Sequence, residues 1–190
     1  MRRFFIDCGG YDGESVIAAR VRWGDVFTAI HSFEPNPELW SYYKDLPTVL
    51  HKQAVWIYDG EMNFYVAENP LSSGIHKDRV QKLHGSPVII TKEIKTPCID
   101  FSQWLLNNFT KDDYIILKMN VEGAEYEIFD KMFKDGSIYL INEIWGDLHR
   151  RQFPQMTRKN DLGVIEKLKS IGLQFNTWSI QKCEKTMPNV

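Results

Sequence analysis

The stretch Phe4-Phe5-Ile6-Asp7-Cys8-Gly9-Gly10-Tyr11-Asp12-Gly13-Glu14-Ser15 constrains this chain more than any other. An apolar, β-like run ends in an acid, a glycine-rich turn follows, and a helix is predicted over 14–21. Glycines let the backbone approach a ligand and take dihedrals that a side chain forbids. The N-terminus of the next helix offers free N–H groups. Ser32-Phe33-Glu34-Pro35-Asn36 repeats the logic, with a short apolar strand ending in a carboxylate. An acid at the tip of a second strand is where α/β nucleotide sites grip ribose hydroxyls.

Spacing narrows the nucleotide. A dinucleotide fingerprint requires G-x-G-x-x-G, and the nearest register here puts Cys8 at the first glycine position, with Gly10 and Gly13 at the others. The pattern instead reads D-x-G-x-x-x-G, which resembles motif I of class I S-adenosylmethionine-dependent methyltransferases. That ligand carries an ammonium and a sulfonium. Asp7 and Asp12 would oppose a diphosphate but suit such a cation.

A chain of 190 residues is long enough for one well-cored α/β domain, expected over 1–190, and short for two. The net charge of −2 argues against a broad nucleic-acid surface. The basic residues Arg150, Arg151, Arg158 and Lys159 read as a solvated loop. Cys8, Cys98 and Cys183 show no metal-ligand spacing; their odd count, with no signal peptide, predicts reduced thiols and a cytoplasmic location. No run reaches the roughly 20 apolar residues of a membrane span. Because the first strand starts almost at residue 1, an N-terminal lid is expected to be absent or to come from another subunit.

Strands are predicted over 3–7, 29–34, 48–52, 62–66, 114–120, 138–144 and 173–179. Helices are predicted over 14–21, 37–44, 101–107, 124–133 and 162–171. In the last, Leu162, Ile165, Leu168 and Ile171 recur at helical spacing before Gly172. Alternation of this kind favours a mostly parallel sheet covered on both faces. The middle, 56–97, breaks the pattern. Tyr58-Asp59-Gly60-Glu61 reads as a turn between two strands of a β-ribbon insertion. The polar loop Asn69-Pro70-Leu71-Ser72-Ser73-Gly74 reads equally as a connector or as a binding loop.

A second block, Tyr114-Ile115-Ile116-Leu117-Lys118-Met119-Asn120-Val121-Glu122-Gly123-Ala124-Glu125, is a buried strand running into a polar tip and a helix. Glu125 falls in the first helical turn, where the helix dipole favours a carboxylate; that is a sufficient structural reason for it. Glu122 lies nearer the strand's carboxyl end, where ligands bind in open α/β sheets.

Together the block from Asp7 to Ser15, Phe33-Glu34-Pro35-Asn36, and Lys118 through Glu125 resemble the FkbM family of S-adenosylmethionine-dependent methyltransferases. The similarity runs from Phe4 to about Glu143. It includes the Ser72-Ser73 loop and Thr96-Pro97-Cys98-Ile99-Asp100. The resemblance implies a Rossmann-like class I methyltransferase: an α/β three-layer sandwich with a mostly parallel central sheet and a small β-ribbon insertion. Two positions depart from the family pattern. Asn120 stands where Asp is usual, so no metal is expected, and Tyr11 stands where Asn is common.

The resemblance implies methyl transfer from S-adenosyl-L-methionine to a hydroxyl, characteristically on a sugar of a polysaccharide or glycosylated metabolite. The cofactor set is then Asp7, Gly9, Gly10, Asp12, Gly13 and Ser15 around the first turn, with Glu34, Pro35 and Asn36 at the ribose. Gln53, Ala54 and Val55 would flank adenine, while Ser73 and Asn120 complete the site. Trp56 reads as core rather than a stacking partner. A hydroxyl acceptor benefits from a general base. Glu122, Glu143 and His149 are candidates, and Asn120 would orient the acceptor or the methionine part. Trp145 is a candidate sugar platform. His31, His51, His76 and His84 show no partner. The alternatives are a nucleic-acid or cap methyltransferase, weakened by the acidic balance, and an inactive cofactor-binding partner subunit.

Overall fold

The apolar run Arg3–Cys8 forms strand β1 at the centre of a six-stranded sheet in the computed structural model, which describes residues 1–81 and 85–179. The other strands are β2 (Ala29–Phe33), β3 (Val49–His51), β7 (Tyr114–Met119), β8 (Ile141–Gly146) and β9 (Phe175–Thr177). Their order is β3-β2-β1-β7-β8-β9, and every neighbouring pair is parallel. The chain moves outward to one side through β2 and β3, and later to the other side through β7 and β8. The order therefore reverses between β1 and β7, and the crevice at their carboxyl ends is where such sheets bind ligands.

Alternation along the central strands divides the core. Phe4, Ile6 and Cys8 of β1, with Ile115, Leu117 and Met119 of β7, face helices α2 (Phe101–Asn108), α3 (Glu125–Asp135) and α4 (Arg158–Ser170). Phe5 and Ile116 face α1 (Glu14–Trp23) on the opposite side, packed with Val16, Ala19 and Ile30. This is the Rossmann-like α/β architecture with helices on both faces.

Between β3 and α2 lies a second sheet of β4 (Ala54–Trp56), β5 (Gly60–Ala67) and β6 (Ile90–Asp100), in the order β4-β6-β5. The expected ribbon exists, but the strands flanking the Tyr58–Glu61 turn do not pair. β6 inserts between them, antiparallel to β5 and parallel to β4. Its Lys92, Glu93, Lys95 and Pro97 disguise it as a polar connector. Pro97 is tolerated because β4 pairs only with Cys98 through Asp100, so no ladder partner faces Pro97 on that side.

Three further expectations are corrected. Residues 138–140 belong to a tight turn, Ser137–Leu140, that follows the left-handed Gly136 cap of α3; β8 begins only at Ile141. The segment Pro37–Tyr43 is a 3-10 helix, capped by the Asn36 side chain accepting from the Glu38 amide at 3.1 Å. Helix α4 starts earlier, and its buried face is Val164 and Leu168, with Leu162 and Ile165 exposed. His84 and Cys183 lie outside the described residues.

Candidate active site

The β1 tip is built around a buried ion pair. Lys118 of β7 reaches across to Asp7 at 2.8 Å and donates a second bond to the Gly9 carbonyl at 2.7 Å. Both side chains are nearly fully buried. Burial pushes the Asp7 carboxyl up, and Lys118 opposes that shift. Asp7 thus neutralises an internal lysine beneath the turn and does not line the crevice.

Gly9 has φ +79° and packs so tightly on the β7 tip that a Cβ would lie 2.0 Å from the Asn120 carbonyl oxygen. Only glycine permits this approach. Gly10 and Gly13, expected against the ligand, instead press on Tyr43 and Leu46. Asp12 accepts from the Glu14 amide at 3.1 Å at the start of α1 and is not among the residues that line the crevice. Ser15 is buried in the first turn of α1, outside the crevice.

Across the turn, Glu34 at the β2 tip is held by two backbone donors. The Tyr11 amide reaches one carboxylate oxygen at 2.8 Å, and the Asn36 amide reaches the other at 2.7 Å. Tyr11 adopts a left-handed φ of 53°, an uncommon conformation for a non-glycine residue, and this aims its amide at Glu34. Burial raises the Glu34 pKa to about 7 against the opposing pull of these amides. Pro35 lines the crevice beside Glu34, while Asn36 stays behind it as a cap.

These groups line a cavity of about 240 Å³. Its walls include Gly9, Tyr11, Glu34 and Pro35 on one side, with Ala54, Val55 and Phe64 contributed by the second sheet. Pro70, Leu71, Ser73, Gly74 and Ile75 add a loop wall, and Asn120, Val121, Glu122, Asp147 and His149 complete the lining. Gln53 falls outside; the lining from that segment is Ala54 and Val55 alone. Ser73 accepts from the Ala67 amide at 3.1 Å, which fixes the loop to β5. The Asn120 side-chain oxygen is buried and accepts no hydrogen bond among the described residues.

The part of the lining that follows β7 holds a charged network. Glu122 also takes a left-handed φ of 55°. Its carboxylate meets His149 Nε2 at 2.9 Å, the Gln152 amide, and Arg79 at 3.6 Å. The other His149 nitrogen, Nδ1, meets Glu125 at 2.7 Å. Glu125 is fully buried and also accepts from the Val121 amide at 3.0 Å and the Gly123 amide at 2.9 Å. A ring with a carboxylate on each nitrogen must donate from both, and only the imidazolium does so. Burial opposes that charge, but Glu125 and Glu122 overcome it and push His149 to about pH 10. Burial likewise opposes the Glu122 charge, yet His149, Gln152 and Arg79 hold its pKa below the ordinary carboxylate value. His149 lines the cavity, but with a carboxylate on each ring nitrogen it has no free lone pair for the base role expected of it.

The structure separates Glu143 from this group. Because β8 begins late, Glu143 lies mid-strand opposite Ile116, where Tyr114 donates to it at 3.0 Å and Trp145 at 3.1 Å. Trp145 itself packs edge-on to Trp23 and Trp178, with Arg22 over its ring at 3.9 Å. It is no platform at the crevice. His31 and His51 bond to one another at 3.0 Å. Trp56 packs against the core, as read.

Sequence reasoning missed Asp147, the acid standing just beyond the true end of β8. It also missed Arg79, whose isolated place in the irregular segment gives no periodic signal. Among the described residues, no group of three or more His, Cys, Asp or Glu side chains is placed to hold a metal ion.

A parallel sheet whose order reverses at β1, with a glycine turn and an acid at the next strand tip, places the protein in the Rossmann-like class of nucleotide-binding α/β folds. A model of the methyltransferase FkbM domain matches residues 7–163, and the chain belongs to that family. Comparison with curated proteins and with solved structures gives no match.

Proposed function

We propose that the protein transfers the methyl group of S-adenosylmethionine to a hydroxyl on the sugar of a polysaccharide or glycosylated metabolite. Glu34 carries the cofactor half of this reading. Each of its oxygens accepts one backbone amide and keeps a lone pair for a ribose hydroxyl, so the acceptor pair is set before any ligand arrives. The remaining walls fit the same molecule. Ala54 and Val55 offer apolar flanks to adenine, and the unpartnered Asn120 oxygen would accept from the methionine ammonium. Gly9 keeps the turn clear of side chains. When bound, this cofactor supplies an electrophilic methyl on a sulfonium, a good leaving group.

The chain's own task is positioning and the exclusion of water. The loop from Pro70 to Ile75 lines the crevice, and the Glu122–His149–Glu125 network ties together the wall that adjoins it. The acceptor half is supported by the family resemblance and by the polar groups that Asn120 and Asp147 contribute to the lining.

Calorimetry with S-adenosylhomocysteine and NAD tests the cofactor. Uptake of the first with no heat from the second is expected, and the reverse would sink the reading. Transfer of labelled methyl groups to glycans and not to RNA then tests the acceptor class.

A further inference from the structure

We propose that Asp147 takes the proton of the acceptor hydroxyl, a role that rests on the methyltransferase reading above. The residue follows β8 directly, and the pairing of Met119 with Gly146 sets it abreast of Asn120 in the cavity wall. It is half-buried, and its carboxylate accepts no hydrogen bond from the described side chains.

The other titratable groups lining the cavity are already occupied. Glu34 holds the amides of Tyr11 and Asn36, and its remaining lone pairs are those that the reading above gives to the cofactor ribose. Glu122 is engaged by His149 and Gln152. His149 spends both ring nitrogens on carboxylates. The Tyr11 phenol keeps its proton, because burial and the neighbouring Asp12 hold its pKa above the usual value. Asp147 remains as the uncommitted proton acceptor, at the end of the crevice where β7 and β8 terminate.

In the step, a lone pair of the hydroxyl oxygen forms the bond to the methyl carbon. The carbon–sulfur bond breaks and its electron pair returns to sulfur, leaving a neutral thioether. The hydroxyl proton passes to the Asp147 carboxylate. One cation and one anion vanish together, so a site poor in water does not oppose the reaction.

The test compares wild type with D147N and D147E. Because a carboxylate near the sulfonium favours the cation, the ratio of S-adenosylmethionine to S-adenosylhomocysteine affinity is expected to fall at least about threefold in D147N. Affinity for S-adenosylhomocysteine alone stays within about twofold, which also reports an intact fold. With labelled S-adenosylmethionine and a panel of neutral, amino and acidic sugar glycosides, kcat is expected to fall about 10²-fold or more in D147N, and D147E recovers part of it. An unchanged affinity ratio, or a D147N rate within about threefold of wild type, overturns the assignment. So does wild-type protein that binds both adenosyl ligands and methylates nothing in the panel. Wild type that binds neither ligand instead fails the methyltransferase reading itself, and this assignment with it.

Discussion

Glu34 shows how much chemistry one residue draws from its neighbours' backbone. Its carboxylate is nearly buried, which raises its pKa to about 7, while two amides fix its orientation. A ribose hydroxyl donates best to the ionised form. Affinity for S-adenosylhomocysteine is therefore expected to weaken as pH falls below about 7, by up to about tenfold per unit. Glu34→Gln should remove that pH dependence and bind less tightly at pH 8. Calorimetry across pH 5.5 to 8.5 measures both effects, and a wild-type affinity that is flat over this range would exclude ribose recognition by Glu34. His149 makes the complementary point. A loop histidine suggests a base when read from its type, yet its two carboxylate partners turn it into a fixed cation.

At the scale of elements, the junction between β1 and β7 decides the site. Lys118 ties the two strands by holding Asp7 and the Gly9 carbonyl at once, so one side chain sets both the sheet centre and the turn. Breaking a buried pair by removing one partner costs about 3–5 kcal/mol, because the other charge is left uncompensated. Lys118→Met should lower stability in urea by that amount and weaken S-adenosylhomocysteine binding. Adding Asp7→Asn should recover part of the stability but not the binding, since the Gly9 carbonyl still lacks its donor. A double variant no more stable than Lys118→Met would show that the pair is not the source of the loss.

At the scale of the whole molecule, the irregular segment is fastened to the sheet by Arg79, whose side chain is fully buried. Its guanidinium donates to the carbonyls of Ser72 and His76, reaches the Gln152 side chain at 3.3 Å, and faces Glu122 at 3.6 Å. The loop wall of the cavity is thereby joined to the charged network beside it. Arg79→Met is expected to cost about 3–5 kcal/mol and to open residues 69–81 to limited proteolysis. Cleavage mapped by mass spectrometry checks this, and an unchanged digestion pattern would mean that the loop is held by other contacts.

The central strands, the glycine turn, the acid after β2 and the family were legible in the sequence, because each is a local pattern. Continuous apolar runs make buried parallel strands, and glycine is required wherever the backbone closes on itself. What tertiary structure alone decided was the direction of each charge. Asp7 and Asp12 sit in the motif yet turn to Lys118 and to a helix amide, and Glu143 lost its place at the tip when β8 began late. β6 was hidden because its inward residues are separated by lysines and a proline. A side chain's residue type states what it can bind; which partner reaches it depends on register and on residues as distant in sequence as Asp7 and Lys118.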